Sequence, residues 1–447
     1  MMLTKKEKIA YGLGDTASNL IFQTVMMFLL LFYTDVMGLE PALVGTLFLV
    51  VRIFDAVTDP LMGAIADRTH SKYGQYRPYL LWLCVPFALI SVLAFTTPQW
   101  PYNLKVAYAF VTYALLMLVY TAINIPYSAL GGVMTKDPQQ RVSLQSYRFV
   151  FGMLGGLIIA AGTMPLVEVL GKGDVQKGYQ LTMAFMGLLG MILFLLCFLG
   201  TKERIKPNPS LSAPAISSDF KLLFQNSQWR ILSLVGLFLL TGQVLKASLA
   251  VYYVKYYLQL PELLTPFVTV GMVASILGCA CSSWLASRVC KVKAYISLQI
   301  VAALLCALAF FVDQHQWQWA FALFALWSFF LQMATPLLWA MMADTIDYGH
   351  LTSKRRVTGM VYSSVVFFIK LGIALGGAIA GWLLSYFGYQ ADMAQSPQTQ
   401  YGISLSFSVL PALGSIVVAY LMRSYLLDGP YMISVQAQLS ELKSHQS

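Results

Sequence analysis

Residues 41–66 read PALVGTLFLVVRIFDAVTDPLMGAIA, an apolar run that carries Arg52, Asp55 and Asp59 at helical spacing. About 20 apolar residues cross a hydrocarbon core, and a charge near the middle of such a helix costs ~2.5–3.5 kcal/mol even on insertion scales. Offsets of three and four residues put Arg52 next to Asp55 and Asp55 next to Asp59 on one helix face. Two carboxylates one turn apart in low dielectric raise a pKa unless a cation or proton joins them. The stretch therefore reads as a cation or proton site buried in a membrane, set against the simpler reading of a salt-bridge network with Arg52 or Lys370 that only locks helices.

The rest of the chain has the composition of that setting. Of 447 residues, 58% are hydrophobic and only 11% are charged, and the mean hydropathy is +0.68, far from a soluble globular chain. The length criterion gives twelve candidate spans, roughly 9–33, 41–66, 79–97, 106–130, 142–170, 179–200, 229–258, 266–285, 294–312, 319–346, 359–386 and 404–426. The polar start before Ile9 lacks a cleavable signal pattern, so the first span is expected to remain as a helix.

The net charge of +10 invites a nucleic-acid reading, but its distribution excludes one. Alternate loops hold Lys5, Lys6, Lys8; Arg68, Lys72, Arg77; Lys136, Arg141; Lys202, Arg204, Lys206, Lys221, Arg230; Arg288, Lys291, Lys293; Lys354, Arg355, Arg356; and Arg423, Lys443, whereas the opposite side holds only Lys105, Lys172, Lys177 and Lys255. This positive-inside bias places both termini in the cytoplasm of a multi-pass protein, as expected for the inner membrane of a bacterium. The six cysteines lie in or at the ends of apolar spans without metal-ligand or disulfide spacing and read as packing residues. No phosphate-cradling P-loop is present, which argues against an ATP-driven pump. With all four histidines outside the spans, no nucleophile and base pair up as an enzyme would require.

A Pro-, Ser- and Lys-rich stretch over 201–228 separates six spans from six, giving an expected N-terminal bundle over 1–200, a cytoplasmic linker, and a C-terminal bundle with its tail over 229–447. Arg141-Val142-Ser143 opens the fifth span and Arg356-Val357-Thr358 the eleventh, each followed by a Leu-Gly-Gly. An all-α membrane protein of twelve transmembrane helices in two six-helix halves has the architecture of the major facilitator superfamily, whose substrates bind between the halves near mid-membrane. At 1.5 Å per residue, Asp59, Thr121, Asn124, Arg148 and Trp339 lie within ~10–15 Å of a cytoplasmic helix end, with Lys370 slightly deeper. Polar groups on several helices at one depth suggest one hydrated cavity. Glycines spaced i, i+4 at Gly152/Gly156, Gly372/Gly376 and Gly377/Gly381 read as helix-packing positions.

Several strings resemble a known family. Tyr11-Gly12-Leu13-Gly14-Asp15, Tyr33-Thr34-Asp35, Arg52-Ile53-Phe54-Asp55-Ala56-Val57-Thr58-Asp59-Pro60, Asp67-Arg68-Thr69 with Gly74-Gln75-Tyr76-Arg77-Pro78, Asn124-Ile125-Pro126-Tyr127 and Asp344-Thr345-Ile346-Asp347-Tyr348-Gly349 are similar, in order, to the glycoside–pentoside–hexuronide:cation symporters of the melibiose-carrier type. The resemblance implies that Asp55, Asp59, Thr58 and Thr121 bind the co-transported cation. Hard oxygen donors of this kind suit sodium, held by Asp55 and Asp59, and the same carboxylates suit a proton. It also implies that Asn19, Tyr120, Asn124, Ser128, Arg148, Trp339 and Lys370 line the sugar pocket or its charge network. Arg52, Arg77, Arg141, Asp344 and Asp347 are expected to serve gating and the wider charge network.

The departures bear on substrate. The melibiose carrier has acidic residues at the positions of Asn19 and Asn124 and an aromatic platform at that of Ser128. An amide keeps an acceptor and gains donors, so hydroxyl recognition survives while two negative charges disappear. The expectation is therefore a cation-coupled carrier of a different glycoside, a pentoside or a hexuronide, monomeric, surrounded by lipid, with no nucleic-acid partner and no cofactor beyond the co-transported ion. A lysophospholipid carrier of the same fold is the alternative. Lys246, in the seventh span, has no assigned role.

Overall fold

A computed structural model describes residues 3–205, 216–353, 357–389 and 393–444. Part of the expected linker (206–215, with Lys206), the loop cations Lys354, Arg355 and Arg356, and His445 lie outside the described residues. Among the described residues every regular element is helical, and the chain divides into two compact units, Met1–Pro214 with Val357–Ser363, and Ala215–Arg356 with Ser364–Ser447.

The first unit contains α1 (Lys5–Leu31), α2 (Pro41–Arg68), α3 (Arg77–Ala94), α4 (Tyr102–Met134), α5 (Pro138–Gly171) and α6 (Val175–Gly200). In it α1 packs on α5 and α6, α3 on α4 and α6, and α2 on α4. The second contains α7 (Ile216–Gln225), α8 (Ser227–Tyr252), α9 (Leu264–Arg288), α10 (Lys291–Ala309), α11 (Trp317–Ser353), α12 (Thr358–Tyr386), α13 (Pro397–Met422) and α14 (Gly429–Ser444), with the start of α12 clustering in the first unit. Here α9 packs on α11, α8 on α13, and α10 on both α11 and α13. Eleven described helices are long and apolar enough to cross a membrane. The remaining span is α2, unbroken over 28 residues despite its charges, and at 1.5 Å per residue it reaches beyond a hydrocarbon core of ~30 Å.

Several helices begin at polar caps. At α1, Thr4 and Glu7 form a reciprocal capping box. At α5, the Asp137 carboxylate accepts from the amides of Gln139 and Gln140 just ahead of the Pro138 start. Two helices, α7 and α14, were not apparent in the hydropathy pattern because neither is apolar enough to stand out in it.

The structure also reveals a repeat that the sequence hides. Both α1 and α8 run into a single π-helical turn, Phe32–Val36 and Tyr253–Tyr257. Met37 N–H bonds Phe32 O and Leu258 N–H bonds Tyr253 O, and each turn then ends at a left-handed residue, Gly38 at φ 75° and Gln259 at φ 58°. Gly takes that conformation freely while Gln does so at a cost, so the shared geometry is written in different residues.

In the first unit Glu203, just after α6, closes the loop ahead of α3. Its Oε2 accepts from Gln75 N at 2.8 Å, and its Oε1 from Tyr76 N and Arg77 N at 2.8 and 2.9 Å. A carboxylate at a helix N-terminus satisfies donors that have no intrahelical partner. Gly74 sits at φ 114°, and a Cβ there would stand 2.6 Å from the Glu203 carboxyl. Glu203→Gln should cost ~1–3 kcal/mol, because an amide NH2 then faces backbone donors. Thermal unfolding in detergent reads this as a lowered midpoint; an unchanged midpoint would show that the loop does not depend on the charge.

Candidate functional site

The polar residues of α2 and α4 come together in the first unit. Asp55 and Asp59 are 1% and 0% exposed. Between them stands the Thr121 hydroxyl of α4, 2.7 Å from Asp55 Oδ1 and 3.0 Å from Asp59 Oδ1. A hydroxyl has one proton to donate. A proton on one carboxyl or a cation shared by the oxygens would satisfy the second contact, which is the chemistry of a site that can take up positive charge. The Thr58 hydroxyl donates to the Asp55 carbonyl at 3.0 Å, which leaves its lone pairs as acceptors. The Arg52 guanidinium lies against Met26 Sδ of α1 at 2.8 Å. Among the described residues no group of three or more His, Cys, Asp or Glu side chains gathers as a transition-metal centre would require.

A second polar cluster joins α1, α4 and α5. Arg148 Nε donates to Asp15 Oδ1 at 2.8 Å, and its Nη2 donates to Ser128 Oγ at 3.1 Å. The guanidinium also faces the Tyr127 ring at 5.0 Å, and that ring stacks on Tyr11 at 4.7 Å. Asn19 Nδ2 donates to Asp15 O at 2.9 Å and lies 3.3 Å from Asp15 Oδ2. Gln23 Nε2 lies 3.4 Å from Asn19 Oδ1. Asp15, Asn19 and Gln23 are spaced by four and so form a polar stripe on one face of α1. Asn124 Nδ2 donates to Tyr120 Oη at 3.0 Å, while Asn124 Oδ1 is buried without a hydrogen-bond partner among the described residues. Such an acceptor is costly unless something supplies a donor, and a sugar hydroxyl is one.

Gly152, read from sequence as a packing glycine, has a more specific place here. A Cβ at that position would collide with Asp15 Oδ2, so its absence makes room for the carboxylate. Gly372 and Gly376 keep the packing reading, set against the backbone carbonyls of Leu237 and Thr241 on α8.

Trp339 on α11 and Lys370 on α12, both half-buried, belong to the second unit. Asp344, 0% exposed, pairs there with Lys291 at the start of α10, and Asp347 lies one turn further on, also buried. In the first unit Arg77 Nη2 donates to Phe198 O at 2.7 Å, tying the start of α3 to the end of α6, and Arg141 Nε donates to Thr135 O at 3.1 Å, tying α5 to the turn after α4. Asp67 accepts the amides of Gly359 and Met360 at 2.6 and 3.0 Å and the Tyr76 hydroxyl at 2.6 Å, all within the first unit. Lys246 is 1% exposed. Its ammonium donates to Phe407 O at 3.1 Å and lies 3.7 Å from the Phe407 ring centre and 5.0 Å from that of Trp327. A carbonyl, two π-faces and the Cys306 thiol thus surround this side chain.

Asp15, Gln23, Asp67, Glu203 and Lys291 were not selected as site or gate residues from the sequence. The i, i+4, i+8 stripe of α1 was the one signal that could have found Asp15 and Gln23. The others bond partners outside their own helix or loop.

Residues 10–429 match the family described as MFS/sugar transport protein. The chain is 41% identical over 449 residues to the putative glycoside/cation symporter YagG of Escherichia coli K12, covering 99% of this chain and 96% of that one. It is 39% identical to the inner membrane symporter YicJ of the same organism, over 95% of this chain and 92% of that one. Among solved structures, the transporter FucP in its outward conformation superimposes with a TM-score of 0.67 at 16% identity, over 94% of this chain and 98% of that one, which shows the fold. These relatives lend no support to a lysophospholipid carrier. The chain is a multi-pass membrane transporter and not an enzyme, it has the major facilitator fold, and it belongs to the glycoside–pentoside–hexuronide:cation symporters.

Proposed function

We propose that this chain imports a sugar or glycoside together with a sodium ion or a proton, by alternating access, across the inner membrane of a bacterium. The observation that carries the reading is the Thr121 hydroxyl standing between the buried carboxylates of Asp55 and Asp59. A cation or proton at this site neutralises the pair, and the sugar cluster of Asn19, Tyr120, Asn124, Ser128 and Arg148 belongs to the same unit. Each ligand then raises the affinity for the other, because the linkage is reciprocal. The oxygen donors present fit sodium or a proton, and Thr58 and Thr121 would complete the carboxylate pair as neutral ligands. The names of YagG and YicJ, a putative glycoside/cation symporter and an inner membrane symporter, support this reading.

The test is uptake into proteoliposomes of a panel of labelled glycosides, with sodium and proton gradients imposed separately. Accumulation of at least one sugar driven by one of the two gradients is expected. Uptake that responds to neither gradient would overturn symport.

The loop charges predict orientation. Reporters fused after Lys206 and after Lys354 should score cytoplasmic, and one after Lys172 periplasmic. A periplasmic score at Lys206 would reverse the topology.

A further inference from the structure

We propose that the groove between α10 and α13 binds one acyl chain of an anionic phospholipid, with Arg423 and Lys293 holding the phosphate at its end. The groove belongs to the second unit, and binding there does not depend on the symport reading.

The two helices pack together and run antiparallel. Just past the end of α10 the Phe310 ring lies 5.8 Å from the Tyr401 ring near the start of α13, and Gln314 Nε2 donates to Gln400 Oε1 at 2.9 Å. The start of α10 therefore lies beside the end of α13. Between them runs a groove of about 420 Å³, lined from Ile296 to Ala307 on α10 and from Ala412 to Arg423 on α13. Its floor is the buried Ala303, Ala412 and Ala419, and its rims are the exposed Leu304, Ile416 and Tyr420. The slot is thus written in residue size, since small side chains leave a depth that larger ones would fill. At 1.5 Å per residue the lined segments are ~16 Å long, which matches one leaflet of a ~30 Å hydrocarbon core.

Polarity is confined to one end. Arg423 follows Tyr420 by three residues and Lys293 precedes Ile296 by three, so each continues the lining face of its helix by one turn. Both cations are exposed, and neither forms an ion pair among the described residues. Tyr420 beside them has the apolar body and polar tip that suit the headgroup level. A guanidinium takes two phosphate oxygens at once, and an ammonium adds a point charge. A zwitterionic headgroup would bring a third cation to these two, so the pair favours a net anion. On the topology that the loop charges predict, this end lies in the cytoplasmic leaflet, where anionic lipids attract Lys and Arg near the surface. Lipid touches every outward face of a membrane helix; this face differs in having a slot one chain deep that ends at two cations.

The probes are palmitoyl-oleoyl phosphatidylglycerol and the matching phosphatidylethanolamine, titrated into the purified full-length protein in non-ionic detergent, with bound lipid counted by native mass spectrometry. The wild type should bind the phosphatidylglycerol at least fivefold more tightly. Glycerol phosphate, the headgroup without chains, should not compete at equal concentration. Arg423→Gln/Lys293→Gln, which alters exposed side chains only, should bring the two lipids within twofold of each other. Ala307→Phe, which places a ring in the slot, should weaken both by at least threefold. A phosphatidylglycerol carrying a diazirine midway along one chain should label α10 and α13 ahead of every other helix.

Equal affinity of the wild type for the two lipids overturns the proposal, as does a preference that survives loss of both cations or a slot variant that binds like the wild type. Competition by glycerol phosphate would make this a site for free anions, and labelling spread evenly over the outward helices would make the lipid a general coat. Either result overturns a site built for chain and phosphate together. If Ala307→Phe fails to fold, the charge variant and the labelling still decide.

Discussion

Asp59→Asn is expected to abolish cation-driven uphill accumulation while leaving measurable downhill sugar exchange. Asp59 is fully buried, and its Oδ1 shares the Thr121 hydroxyl with Asp55. An amide in its place keeps the size of the side chain and one acceptor oxygen but removes the charge that attracts a cation or takes up a proton. The remaining carboxylate then has no like-charged neighbour one turn away on α2, and the reason for the pair to bind positive charge is lost. The sugar contacts proposed above lie on α1, α4 and α5, so a bound sugar still exchanges down its gradient. Counterflow and gradient-driven uptake in proteoliposomes separate the two effects. Accumulation retained at even a tenth of the wild-type level would place coupling elsewhere. Thr121→Val should act in the same direction more weakly, since it removes a neutral ligand and leaves both carboxylates.

How far the sequence discloses this site depends on where each partner lies in the chain. Asp55 and Asp59 were legible because both sit on one helix, and a four-residue offset fixes their proximity before any tertiary contact forms. The helical class was legible for a similar reason: a bilayer forces apolar runs long enough to satisfy their own backbone. The pair of Arg148 with Asp15 was not, because 133 residues separate them and depth in the membrane fixes only one coordinate of three. Asp344 and Lys291 are likewise on different helices, 53 residues apart. Lys246 stood out as a charge in an apolar span, yet its partners include a carbonyl, aromatic faces and the Cys306 thiol, none of them a carboxylate to search for. Among the described residues Glu203 bonds backbone amides, and nearly any sequence supplies those.

The buried ion pair of Arg148 with Asp15 carries the second large expected effect. Arg148→Ala removes the cation from a carboxylate that is 6% exposed, and breaking a buried pair by deleting one partner costs ~3–5 kcal/mol because the other charge is left uncompensated. Asp15→Asn should cost less, since the amide oxygen still accepts from Arg148 Nε. Arg148→Lys keeps the charge but not the planar fork that reaches Asp15 and Ser128 together, so it should recover only part of the loss. The double variant Asp15→Asn/Arg148→Gln replaces the ions with two amides of similar shape and should be more stable than Arg148→Ala, as neutral replacement of a buried pair often is. Thermal or denaturant unfolding of the wild type, Asp15→Asn, Arg148→Gln and the double variant in one detergent forms the cycle that isolates the pairwise coupling. If Arg148→Ala unfolds like the wild type, the carboxylate of Asp15 must be met by water or another cation, and the pair would not be the internal ion pair that the geometry describes.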